Sequence, residues 1–291
     1  MTSITASMVK ELRERTGLGM MDCKKALSEA SGDMEKAIED LRKASGLKAA
    51  KKASRVAAEG VVMAKVSGDG NRGVILEVNS ETDFVARDEN FLRFASEALE
   101  IAYNENEASV EVVLSKGLEE SRQALVQKIG ENISVRRIER LNFENANQGI
   151  VESYVHNNAK IGVLISLKGG DEALARDIAM HIAAVNPMVV RPEDVPEDVL
   201  AKESEIYAAQ ARESGKPDEI VEKMISGRLR KFVSEVSLLE QQFVKDPEST
   251  IRNLLEEVGA DIVQFVRYEV GEGIEKEEED FAAEVAAQLN S

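Results

Sequence analysis

One pattern occurs twice in this chain. A strand-like run at 61–66 leads through a glycine-rich loop into a second run, Gly73-Val74-Ile75-Leu76-Glu77-Val78. Helical spacing follows at 91–103 and at 118–129, and a strand pattern at 133–141 closes the unit. The order then restarts with Ile150-Val151-Glu152-Ser153-Tyr154-Val155, a turn at Asn157-Asn158, and Ile161-Gly162-Val163-Leu164-Ile165-Ser166-Leu167. A helix is predicted over 172–185 and, much later, a strand over 262–270. Gly73-Val74-Ile75-Leu76 echoes Gly162-Val163-Leu164-Ile165, and Val135-Arg136-Arg137-Ile138 echoes Phe265-Val266-Arg267-Tyr268. Short β-branched runs paired through tight turns, with helices between, require two units of one design. Each is expected to be a small antiparallel sheet with helices on one face, which makes the fold class α+β.

The remaining segments frame that core. Residues 1–46 read as three short helices. Thr5 or Ser7 can open the first, Asp22 the second and Asp33 the third, with Gly17, Gly32 and Gly46 as stops. Val9, Leu12, Cys23, Ala26, Leu27, Ala30, Ala37, Ile38, Leu41 and Ala44 would face inward. Residues 47–55 hold Lys48, Lys51, Lys52 and Arg55 among alanines and read as a solvated basic linker or a frayed helix. In the second repeat, Pro187, Pro192 and Pro196 introduce an insertion. Helices at 199–212 and 218–232, joined at Gly215-Lys216-Pro217, would form an αα-hairpin with Ile206 and Ala209 facing Ile220, Met224 and Leu229. The tail carries Glu277-Glu278-Glu279-Asp280, a solvated acidic face, then Phe281, Val285 and Leu289 as one apolar stripe. The expected organisation is a three-helix module with its linker at 1–55, the first core repeat at 56–145, the second at 146–272 with the hairpin inserted at 193–238, and a C-terminal helical module at 273–291.

Charge and composition exclude several functions. A formal net charge of −17 repels nucleic-acid phosphate, so no direct nucleic-acid partner is expected. A single cysteine, Cys23, excludes an internal disulfide and fits a reducing compartment. No apolar run approaches a membrane span, and residues 1–14 lack a signal-peptide core, so a cytoplasmic setting is expected. Asn132-Ile133-Ser134 is then a chance glycosylation match.

The chain offers little covalent chemistry. Gly68-Asp69-Gly70-Asn71-Arg72-Gly73 matches a dinucleotide-binding pattern, but a strand follows it, so no helix N-terminus awaits a pyrophosphate. It reads as a hairpin loop. There is no Gly-Lys-Ser/Thr and hence no P-loop. Two histidines, His156 and His181, and one distant cysteine supply no metal-binding spacing. No metal, no cofactor and no catalytic residues are expected. His181 belongs at a core edge and His156 at an exposed strand end.

The residue that stands out is Phe84, in Asn79-Ser80-Glu81-Thr82-Asp83-Phe84-Val85-Ala86-Arg87-Asp88. It falls where a strand turns into a helix that Thr82 or Asp83 can cap. It can be a staple folded onto the core, or an exposed aromatic anchor ringed by charge.

Thr82-Asp83-Phe84-Val85-Ala86 after a strand, and Thr16-Gly17-Leu18-Gly19-Met20-Met21-Asp22-Cys23-Lys24-Lys25-Ala26-Leu27, resemble the two signatures of the bacterial elongation factor Ts family. The resemblance runs from about residue 4 to the end. It implies a guanine nucleotide exchange factor that binds elongation factor Tu and promotes GDP release, with no catalytic site of its own. It implies a ubiquitin-associated-like N-terminal module and a projecting antiparallel coiled coil that serves homodimerisation in some members. It also implies a C-terminal helix that contacts the partner. By the same resemblance Thr82, Asp83, Phe84 and Val85 form a wedge that dislocates Mg2+ in the partner, and Met20, Met21, Ile129 and His156 are further partner contacts. The loop at 144–148 matches no family pattern. Apart from the resemblance, a scaffold or adaptor fits the same organisation, and an enzyme fits it least.

Overall fold

The computed structural model describes residues 4–105, 109–143, 149–212 and 217–275. The acidic stretch, the apolar tail stripe, the loop at 144–148 and most of the Gly215-Lys216-Pro217 turn lie outside the described residues.

The chain opens with three helices, α1 (Ala6–Thr16), α2 (Met20–Glu29) and α3 (Met34–Lys52). The Thr5 hydroxyl caps α1 and the Asp33 carboxylate caps α3. The start of α2 differs from expectation. The helix begins after Gly19, and Asp22 sits in its first turn, where a carboxylate favours the dipole without capping. Val9, Leu12, Cys23, Leu27 and Leu41 close a small core of their own.

Of the two readings of residues 47–55, the helical one holds as far as Lys52. Helix α3 runs through Gly46 to Lys52, because alanines and lysines favour helix and the lysines suit its C-terminal end. Gly46 lies against Gln123 rather than ending anything. Ala49 is buried in the core of the following unit, so α3 is a rigid strut and not a tether.

Two matching units follow. The first has β1 (Glu59–Val66), β2 (Arg72–Ser80), a single turn α4 (Asp83–Ala86), α5 (Glu89–Asn104), a short α6 (Val110–Val113), α7 (Glu119–Ile129) and β3 (Ser134–Asn142). The second has β4 (Ile150–Val155), β5 (Ile161–Lys168), α8 (Glu172–Val185), the helical pair α9 (Glu197–Arg212) and α10 (Asp218–Val236), a small ribbon of β6 (Gln242–Phe243) and β7 (Asp246–Thr250), α11 (Ile251–Val258), and β8 (Asp261–Glu269). The sheets are antiparallel, in the orders β1-β2-β3 and β4-β5-β8. The architecture is mixed helix and sheet, compatible with α+β.

The repeat is visible in the register. Gly73 pairs with Leu141, and Gly162 with Tyr268. A β-bulge falls at Glu77/Val78 in one sheet and at the corresponding Ser166/Leu167 in the other. Arg140 donates to the carbonyls of Ala102, Tyr103 and Glu105 at the end of α5, and its counterpart Arg267 donates to Ala183 near the end of α8. The echo of Val135-Arg136-Arg137-Ile138 in Phe265-Val266-Arg267-Tyr268 is therefore out of register, since Tyr268 corresponds to Leu141 and not to Ile138. Helix α11, β6 and β7 had no counterpart among the sequence expectations. Ile251, Leu254, Leu255 and Val258 have helical spacing between the Thr250 cap and Gly259, but the helix is only eight residues long.

Helices cover one face of each sheet: Phe91, Phe94, Ala95 and Ala98 of α5 on the first, and Ala175, Ile178, Ala179 and Ile182 of α8 on the second. The other faces pack on each other through Val62, Ile75, Leu141, Val151, Leu164 and Tyr268. Burial on both faces explains why every residue from Gly73 to Ser80 is buried. The two echoing glycines mark close approaches of one sheet to the other. A Cβ on Gly162 would lie 2.5 Å from Cγ1 of Val62, and one on Gly73 would lie 2.6 Å from Cδ1 of Leu164. Gly162→Ala is expected to destabilise the fold by ~1–3 kcal/mol, because a stiff valine cannot yield without moving the sheet. A urea midpoint unchanged by the substitution would mean the sheets part easily.

The inserted helices pair through Ala211 and Val221, both buried, and through Arg228, which donates to Gln210 at 2.7 Å. Ile206 and Ile220, expected on the facing sides, are 41% and 45% exposed.

Candidate functional site

Phe84 is 83% exposed. Its neighbours anchor the turn that carries it: Ala86 is buried, and Val85 packs against the first core. The staple reading therefore fails, and of the two expected caps only Thr82 serves. Thr82 caps the single turn α4 by accepting from the Val85 amide at 3.4 Å, while Asp83 only pairs with Arg87 at 3.0 Å. The long helix α5 has its own cap, Asp88, which accepts from the Asn90 and Phe91 amides. The Asn90 side chain and these amides hold the Asp88 carboxyl below its ordinary value. A chain that would otherwise enter one helix thus makes a separate turn first, with Phe84 at its tip.

The turn is tied to a loop far away in sequence. One Glu131 carboxylate accepts three hydrogen bonds, from the amides of Glu81 (3.1 Å) and Thr82 (3.0 Å) and from the Thr82 hydroxyl (2.7 Å). Glu81 returns the contact by accepting from the Asn132 amide at 2.6 Å. The Asn132 side chain is buried and donates to the Ala53 and Arg55 carbonyls beyond α3, so it is no glycosylation acceptor. The Ser80 hydroxyl donates to the Thr82 carbonyl. Sequence reasoning missed Glu81, Glu131 and Asn132. Nothing local links Glu131 to Thr82, 49 residues away.

Two other predicted contacts lie at the same end of the molecule. Ile129 is half-buried in the last turn of α7, two residues before Glu131. His156 is exposed at the β4–β5 turn, with Nδ1 3.0 Å from the Tyr154 hydroxyl. That turn is moored to β1, where the Val62 amide donates to Ala159 and Lys160 pairs with Glu59. Glu59 faces Ser80, the last residue of β2 before the Phe84 turn. Met20 and Met21 are 59% and 76% exposed at the start of α2, on the separate N-terminal module. That module reaches the core through α3, where Ser45 bonds Gln127 and Lys52 bonds the Gly130 carbonyl.

The other candidates resolve into structure. The glycine-rich Gly68–Gly73 motif is the β1–β2 hairpin turn, closed by Ser67 and Arg72. His181 is fully buried rather than at a core edge. Its Nδ1 accepts from the Val244 amide, so Nε2 carries the proton and donates to Gln241 at 3.0 Å. Burial pushes its pKa down against the opposing Gln241 bond. A cleft of about 530 Å3 between the N-terminal module and α7 is lined by Arg15, Arg42 and Lys43, which pair with Glu35, Glu120 and Glu39. Among the described residues no cluster of three His, Cys, Asp or Glu side chains could hold a metal ion, and no helix is long and apolar enough to cross a membrane.

The region from the Phe84 turn to the end of the second sheet matches a known family: residues 81–272 fit the one described as Elongation factor TS. The chain belongs to the elongation factor Ts family. It is 63% identical over 289 residues to Elongation factor Ts of Hahella chejuensis, covering 99% of both chains. It is 60% identical to that of Teredinibacter turnerae, over 99% of this chain and 97% of the relative, and 56% identical to that of Francisella tularensis subsp. novicida, over 99% of both. Membership of the elongation factor Ts family places the protein in protein biosynthesis, as an exchange factor of translation elongation.

Proposed function

We propose that this protein binds elongation factor Tu and promotes GDP release, with Thr82, Asp83, Phe84 and Val85 acting as a wedge that dislocates Mg2+ beside the bound nucleotide. The observation that carries this reading is an aromatic side chain 83% exposed on a turn held by an internal network. A GTPase holds GDP through backbone amides, a lysine and Mg2+. An exchange factor must bind the empty GTPase better than the loaded one, and linkage then makes it weaken GDP binding by the same factor. Burying a phenylalanine contributes roughly 1.5–3 kcal/mol. Each ~1.4 kcal/mol directed against the loaded state lowers GDP affinity tenfold. One wedge thus supplies part of the effect. Met20, Met21, Ile129 and His156 are the residues proposed to supply the rest, and exposed methionines suit an adaptable contact.

The test is stopped-flow release of fluorescent GDP from elongation factor Tu. Acceleration that grows with the concentration of this protein is the expected result. Binding without acceleration would favour the scaffold reading. A second copy of the chain is the occupant proposed for the α9–α10 pair, whose Ile206 and Ile220 are exposed. Sedimentation equilibrium distinguishes a monomer from that dimer.

A further inference from the structure

We infer that Glu131 is the positioning residue of the wedge, the brace that holds Phe84 ready before any partner arrives. The inference rests on the reading of Phe84 as a partner anchor.

The molecule contains its own control. In the second repeat only Gly169, Gly170 and Asp171 separate β5 from α8, and nothing projects. A Cβ on Gly169 would lie 2.7 Å from the Gly259 carbonyl and 3.2 Å from Cα of Ala260, so that connection rests directly on the residues that follow α11. In the first repeat the same connection runs from Glu81 to Asp88 and carries the extra turn α4. Gly130 ends α7 as Gly259 ends α11, both in the left-handed region. The next residue is Glu131 in one copy and Ala260 in the other. A carboxylate thus stands where the longer connection has moved away from its support, and it bonds the amides of Glu81 and Thr82 and the Thr82 hydroxyl.

Phe84 is too exposed for side-chain packing to hold it, so its direction is set by the backbone of its turn. Hydrogen bonds to a charged acceptor are the stronger kind, and three on one carboxylate fix both ends of the Glu81–Thr82 segment. Without them the turn would sample other conformations, and binding would have to order it again. The Glu81 bond to Asn132, and the Asn132 bonds to Ala53 and Arg55, extend the brace to the end of α3.

The experiment is a double-mutant cycle on GDP release from elongation factor Tu, with Glu131→Ala, Phe84→Ala and the pair, beside amide hydrogen exchange of the free protein. Glu131→Ala should slow factor-stimulated release by about tenfold, the scale of one lost charged hydrogen bond. Added to Phe84→Ala it should slow release by clearly less than its own factor, because the brace acts through the turn whose main anchor is already gone. The Glu81 and Thr82 amides should exchange at least about tenfold faster, while the core amides of β2 keep their protection. Glu131→Gln keeps a carbonyl oxygen for the Glu81 and Thr82 amides, turns its NH2 toward the Thr82 hydroxyl and loses the charge, so it should show the same pattern at smaller size, and it serves if the alanine variant misfolds. Effects of Glu131→Ala and Phe84→Ala that multiply would make Glu131 an independent partner contact and overturn the inference. So would unchanged protection of Glu81 and Thr82. If the unaltered protein fails to accelerate release, the exchange reading falls, and the two amides still decide whether the brace exists.

Discussion

Phe84→Ala is expected to slow factor-stimulated GDP release by roughly ten- to a hundredfold, the worth of one buried phenylalanine side chain converted to a rate. The melting temperature should stay where it is. Most of the side chain already faces water, so removing it opens no cavity, and Thr82, Val85 and Ala86 keep the turn in place. That separation of function from stability marks an interface anchor. A core staple would lose stability first. Stopped-flow release and a thermal melt on the same preparation check both halves. A variant that melts early would return Phe84 to the core.

Glu77→Ala is expected to have the opposite profile, with a loss of roughly 3–5 kcal/mol in stability, as when one partner of a buried ion pair is removed. Glu77 is fully buried in β2. It accepts from Arg137 Nε at 2.6 Å, from Arg136 at 3.1 Å, from Asn79 at 2.9 Å and from the Gly271 amide at 2.8 Å. Arg137 in turn stacks 4.0 Å over the Tyr268 ring and donates to the Glu269 carbonyl. One carboxylate therefore ties the first sheet to the end of the second, and its loss leaves two arginines short of their acceptor. Burial alone would raise its pKa. The bonds from Gly271, Asn79 and Arg137 outweigh it, and the net direction is below the ordinary value of 4.5. Stability from this group is therefore full above pH 4.5 and is lost as pH falls through the depressed value. Urea unfolding should show a lower midpoint for Glu77→Ala at neutral pH and a shallower acid dependence. Equal midpoints would mean the two sheets are held by Val62, Ile75 and Leu164 alone.

Much of this fold is legible locally. Strand β5 is a mostly β-branched and aliphatic run, broken only by Gly162 and Ser166 before Lys168, and α8 starts after an aspartate cap and ends where its apolar spacing stops. The errors arise where distant residues decide. Gly46 reads as a stop, yet α3 continues because Ala49 has a core to enter and Ser45 and Lys52 find partners on α7 and just beyond it. The packing of sheet on sheet was hidden because Glu77, Asn79 and Ser80 interrupt the apolar run of β2, although all three are buried. Phe84 stayed open between core and surface for the same reason. The turn that carries it is bonded to Glu131, and no spacing rule spans that distance. The proposed partner contacts are less legible still, since an exposed Met20 or His156 has no spacing or charge pattern of its own that separates it from an ordinary surface residue.

The most direct test of the wedge compares GDP release stimulated by the unaltered protein and by Phe84→Ala, first in excess Mg2+ and then with Mg2+ chelated. If Phe84 works by dislocating the ion, the wide gap between the two proteins in Mg2+ closes once the ion is gone. A gap that persists in chelator would contradict the account and move the action of Phe84 from the metal to another part of the nucleotide site.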